Sequence, residues 1–214
     1  MRNAEAVQDL DRDLRTIFQG RVRSLVTYGP VPDGPVNTLA IVEAMTATDL
    51  RYCAERSALW RQRGLATPLI LEAGEFQRSL DAFPFEFGTI LASYELVSGP
   101  NPFEGLAVDT ADLRRACEVQ ARSHLLHLRE EFIDTNGRND YLAELVQRSA
   151  PALAALLANV QRLPAAPAPD PVLARVAQLG PQGTISSDEA RRLFPDYLAA
   201  VRRLVDDLDR WSPA

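Results

Sequence analysis

Seven residues, Gly29-Pro-Val-Pro-Asp-Gly-Pro35, limit the first half of this chain more than any others. Three prolines and two glycines forbid a helix there and leave a rigid turn. Short β-branched runs lie on both sides, Val22 to Tyr28 before it and Asn37 to Glu43 after it. Two strands paired side by side are the expected result. Upstream, Val7, Leu10, Leu14, Ile17 and Phe18 share one face of a helix over 3–19 that Gly20 ends. Downstream, Thr46 or Thr48 caps a helix to about Arg63, with Leu50, Cys53, Ser57 and Trp60 inward. Leu69-Ile-Leu-Glu72 reads as a third strand and Glu75 to Leu80 as a short helix. Phe83, Phe85 and Phe87 alternate at strand period and predict an extended piece, and Glu95 to Ser98 predicts a last strand.

The pattern changes near residue 109. Residues 111–133 make one helix with Leu113, Cys117, Ala121, Leu128 and Phe132 along a stripe, and His124 falls on the same face. A second helical stretch runs from Asp140 to Leu163, where Pro151 predicts a kink or a fresh start capped by Ser149. A proline-rich connector (164–171), a short helix (172–179) and a final helix opened by Ser186-Ser-Asp-Glu189 complete the chain. The expected fold class is α+β: a mixed sheet flanked by helices over 1–108, then an all-α bundle over 109–214.

Composition narrows the function. All 23 basic residues are arginine, which removes every lysine-dependent phosphate or Schiff-base site. A net charge of −6 offers no basic field, so neither nucleic acid nor a membrane surface is an expected partner. Two cysteines and two histidines are too few for a Cys/His zinc site. No apolar run approaches the ~20 residues of a membrane span, and no signal block opens the sequence. A cytoplasmic location is expected.

The segments Arg23-Ser-Leu-Val-Thr-Tyr-Gly29, Asn37-Thr-Leu-Ala-Ile-Val42, Ser79 to Phe87 and Tyr94 to Phe103 carry a resemblance. The first half resembles the nucleotidyltransferase fold of the DNA polymerase β superfamily, in its minimal bacterial form. The helical half is similar to the bundles fused to such domains, of the kanamycin-nucleotidyltransferase C-terminal or HEPN type. The resemblance implies a Gly-Ser turn that holds a triphosphate. It also implies two carboxylates at i and i+2 of a strand that hold Mg²⁺, and a third on a neighbouring strand.

Each of those places is altered here. Gly29 is kept, but Pro30 stands where the serine belongs, and Pro35 and Asn37 stand at the paired acids. The third acid falls within Phe85 to Ile90, where Glu86 is the only carboxylate and Gly88 is the aligned residue. Asp33 and Glu43 flank the second strand but are ten apart. The resulting expectation is a pseudoenzyme: a non-catalytic scaffold for a protein partner or for self-association, without cofactor and with weak or absent nucleotide binding. Two alternatives stay open. One is an active nucleotidyltransferase that uses ATP and Mg²⁺ to pass a nucleotidyl group to a protein, RNA or small molecule. The other is a HEPN-type ribonuclease on the Arg-x4-His spacing of Arg122 and His127. On an unbroken helix those two lie about 140° apart, which argues against the ribonuclease. An exposed apolar patch on the 111–133 helix would favour dimerisation.

Overall fold

The structure, a computed structural model, describes residues 2–29, 34–166, 168–179 and 184–211, and the side chains of residues 2 and 3 stand outside that description. Two compact units divide the chain at Val108/Asp109. The first holds α1 (Arg2–Phe18), β1 (Val22–Tyr28), β2 (Asn37–Val42), α2 (Ala47–Gln62), β3 (Leu69–Glu72), α3 (Ala73–Ala82), α4 (Pro84–Ala92) and β4 (Tyr94–Ser98). The second holds α5 (Thr110–Asp134), α6 (Asn139–Val160), α7 (Pro171–Gln178) and α8 (Ser187–Arg210). The α+β class, with a mixed sheet and a helical second half, is the one expected.

The sheet runs β3-β2-β1-β4. β1 is antiparallel to both β2 and β4, and β2 is parallel to β3. Alternation along the strands sends two sets of side chains to opposite faces. Leu25, Val36, Ala40 and Val42 pack with Leu10, Leu14 and Phe18 of α1 and Trp60 of α2. Val26, Leu39 and Ile41 pack with Phe76, Phe87 and Ile90 on the other face.

The expected cap Thr46 opens α2 with a reciprocal capping box to Asp49. Asp49 is buried and also accepts both arms of the Arg21 guanidinium at 2.8 and 2.9 Å. That hydrogen-bonded pairing holds its carboxyl well below the ordinary carboxylate range. The pair explains one correction: Asp49 turns inward and Leu50, expected in the core, is 48% exposed. Both thiols are buried, which pushes Cys53 and Cys117 up to about 11.

The predicted extended piece at Phe83–Phe87 is instead the start of α4. Pro84 sits in its first turn, where its fixed φ suits a helix and its missing N–H has no partner to lose. Only Phe87 of the three phenylalanines is buried, edge-on to Phe76. A second correction concerns α6, which runs through Pro151 without a fresh start. Ser149 lies inside that helix and donates back to the Val146 carbonyl rather than capping.

The expected stripe of α5 is buried at Leu113, Cys117, Ala121 and Leu128, while Phe132 is partly exposed and stacks on Phe194 of α8. Opposite that stripe, Val119, Leu126 and Ile133 are exposed at spacings of seven residues. Among the described residues no helix is long and apolar enough to cross a membrane.

Candidate functional site

One end of the sheet gathers the residues singled out in the first unit. Tyr28, the last residue of β1, pairs with Asn37 at the start of β2 and with Tyr94 at the start of β4. Gly29 follows at φ +78°, a conformation that glycine adopts without the penalty a side chain would bring. Its N–H donates to the Ser93 carbonyl at 2.9 Å, so that bond ties the end of β1 to the start of β4. The amide is thereby used in the fold and is not left free to meet a phosphate.

A cleft of about 560 Å³ opens at this end, between α1 and the β1–β4 pair. Gln8 lines it from α1, Thr27, Tyr28 and Gly29 from β1, and Glu95 from β4. Glu95 is the only charged side chain among the described lining residues. Strand register places Glu95 opposite Thr27, and Thr27 opposite Thr38. Directly paired residues project to the same face, so the three form a row across β4, β1 and β2. That face is otherwise apolar, with Leu25, Val36, Ala40 and Val97 around the row. Thr38 is 1% exposed and its hydroxyl has no hydrogen-bond partner among the described residues.

The sequence-derived positions divide sharply. Gly29 lines the cleft, and Asn37 sits beside it, its amide nitrogen 3.7 Å from where a Gly29 Cβ would stand. Pro35 precedes β2 and is exposed. Pro30 and Asp33 lie outside the described residues. Glu86 and Gly88 are corrected: both belong to α4, with Glu86 exposed and Gly88 buried, and neither is on a strand beside β1. Beside β1, on the side away from β2, lies β4, and its acid is Glu95. Its signal was present: Glu95 stands two residues before Val97, so both share one face of a strand whose apolar member points to the core.

A divalent cation of the kind the resemblance implies does not fit these residues. Proline and asparagine occupy the paired positions. Among the described residues, no three His, Cys, Asp or Glu side chains are grouped to hold a metal ion. Glu43 sits at the far end of β2 and is engaged by Arg23.

In the second unit, the structure does not bring Arg122 and His127 together. Arg122 donates to Glu118 at 2.8 Å and to Asp209 at 2.9 Å. His127 is exposed beside Glu130, at 3.3 Å. The inward histidine is His124, whose Nε2 lies 2.7 Å from the Tyr197 hydroxyl. That hydroxyl is 3.0 Å from Ser149 Oγ, which donates to Val146 O at 2.9 Å. Proton counting orders the chain: serine gives its one proton to the carbonyl, tyrosine gives its own to serine, and His124 donates from Nε2 to tyrosine. Burial, and then the neighbouring His127, lower the His124 pKa, and burial raises that of Tyr197. The group is a hydrogen-bonded network that joins α5, α6 and α8.

No family model matches the chain, and no curated protein matches it. Among solved structures, spectinomycin adenyltransferase AAD(9) from Enterococcus faecialis, with ATP and spectinomycin, matches over 96% of this chain and 99% of its own. The TM-score is 0.47 and the identity 10%. That structure is an adenyltransferase with ATP and spectinomycin, so what the chain is similar to is an enzyme and not the non-catalytic scaffold that was expected.

Proposed function

We propose that this chain transfers a nucleotidyl group from a nucleoside triphosphate to an acceptor hydroxyl, breaking the α–β phosphoanhydride bond and releasing pyrophosphate, with the cleft at the β1 end of the first unit as its site. The observation that carries this reading is a coincidence of place. A cleft of about 560 Å³ in that unit opens at the strand ends where the resemblance of Arg23–Gly29 and Asn37–Val42 puts the nucleotide. That volume falls within the range of small-molecule sites.

In this reading, the bend at Gly29 and its bond to Ser93 fix the mouth of the cleft. Thr27, Gln8 and Glu95 orient the ligand by hydrogen bonds. No step is assigned to a metal, since the described residues do not fit one. Incubation of the full chain with α-labelled nucleoside triphosphates, in Mg²⁺ and in Mn²⁺, tests the proposal. Label should appear on an added protein, RNA or small-molecule acceptor and fall at least tenfold in Glu95→Gln. No label on any acceptor or on the chain itself contradicts it.

Self-association is the partner reading supported by Val119, Leu126 and Ile133, three large apolar side chains in line on the outer face of α5. Sedimentation velocity should show a concentration-dependent dimer that Leu126→Glu abolishes. A monomer at every concentration contradicts it.

A further inference from the structure

We propose that Glu95 and Thr27, positioned by Thr38, form a subsite for the vicinal diol of a sugar ring, either the ribose of a nucleoside or a monosaccharide acceptor. The proposal deepens the nucleotidyl-transfer reading and rests on it for the role of the cleft.

Three observations carry it. The first is charge. Glu95 is the only charged group among the described residues of the cleft, and it has no ion-pair partner among them. An ionised carboxylate only accepts hydrogen bonds, so the group it holds must donate. Phosphate groups are anionic and largely deprotonated at neutral pH and would be repelled, whereas adjacent hydroxyls offer two donors to the two carboxylate oxygens.

The second observation is spacing. The Glu95–Thr27–Thr38 row crosses three adjacent strands, about 4.8 Å apart, so it spans roughly 10 Å of sheet. Glu95 and Thr27, one strand apart on the same face, can engage neighbouring hydroxyls of one ring. Threonine both donates and accepts, as a sugar hydroxyl does, and Gln8 faces the pair from α1 with both capacities.

The third observation is the Thr38 hydroxyl. It is buried, without a partner among the described residues, on a face where Val36 just before β2 and Ala40 within it occupy the flanking inward positions. Valine would fill the same volume without burying a lone hydroxyl. Thr38 does not line the cleft, but Thr27, its cross-strand partner, does. The Thr38 hydroxyl has no acceptor at the present heavy-atom positions, and a turn of the whole Thr27 side chain toward the ligand can bring the Thr27 oxygen within its reach. Thr38 is thus a positioning residue, silent in the free protein and partnered in the complex.

Titration calorimetry on the full chain tests the subsite, with adenosine, 2′,3′-dideoxyadenosine, methyl riboside and methyl glucoside as probes. Adenosine should bind at least about tenfold more tightly than the dideoxy analogue, and Glu95→Gln should remove that difference. Thr38→Val should raise the melting temperature by about 2–4 °C while weakening adenosine severalfold. A merely structural threonine would give the first effect without the second. Binding of adenosine but neither glycoside identifies the nucleoside as the source of the diol. Binding of a glycoside but not adenosine identifies the acceptor. Equal affinity for adenosine and its dideoxy analogue with no glycoside binding, or no binding by any probe, overturns the subsite. Diol-selective binding without label transfer would contradict only the transfer reading, and transfer without diol selectivity would contradict only the subsite.

Discussion

Replacing Gly99 by alanine is expected to lower the stability of the first unit by about 2–5 kcal/mol. Gly99 follows β4 at φ +81°, and a Cβ there would lie 1.9 Å from the Arg23 carbonyl oxygen and 2.9 Å from its carbon. Both neighbours are backbone of β1, so no side chain can swing aside. The contact is held from the other side as well, because Ser24 Oγ donates to Pro100 O at 2.6 Å. Relief requires β4 and its following turn to part from β1, and β4 forms one wall of the cleft. Urea unfolding followed by tryptophan fluorescence should show an early transition in the variant, with buried Trp60 as the reporter in that unit. An unchanged midpoint would mean that β1 and the turn do not approach as described.

Tyr197→Ala should cost the second unit about 3–5 kcal/mol, and Tyr197→Phe about 1 kcal/mol. Tyr197 is fully buried, with its ring edge-on to Phe194 and its hydroxyl between His124 and Ser149. Alanine leaves a cavity and also strands the His124 N–H. Phenylalanine keeps the packing and removes the central hydroxyl alone. Acid sensitivity follows from the same network. Burial lowers the folded-state pKa of His124, so its neutral form contributes stability above the unfolded histidine value near 6.5, and that stability is lost as pH falls below it. Urea midpoints of the His124→Gln variant should depend less on pH between about 7 and 5 than those of the unaltered chain. Equal costs for the alanine and phenylalanine variants would refute the packing account.

What could be read from the residues was governed by how local the physics is. α1, β1, β2 and α2 follow from apolar spacing, one proline-glycine turn and a capping threonine, all set within a few residues. The extended reading of Phe83–Phe87 failed because three alternating aromatics satisfy a strand period by chance, while Pro84 in the first turn of α4 decides the outcome. Pro151 does not break α6, which is buried along Leu145, Val146, Leu153 and Leu156 and runs past the one lost hydrogen bond. At the cleft, Gly29 and Asn37 were legible because they adjoin a turn. Glu95 and Thr38 were not, because their meaning depends on which strands pair and in what register. Register is a tertiary property, and a one-residue shift would turn both side chains to the other face.

In this reading the β1 end of the sheet receives a nucleotide. Amide chemical shifts of the full chain titrated with a non-hydrolysable nucleoside triphosphate analogue test it most directly. The account predicts saturable shifts at Thr27, Gly29, Asn37 and Glu95 that Glu95→Gln weakens. Saturation with those four amides unmoved, or shifts confined to residues 109–214, would contradict it.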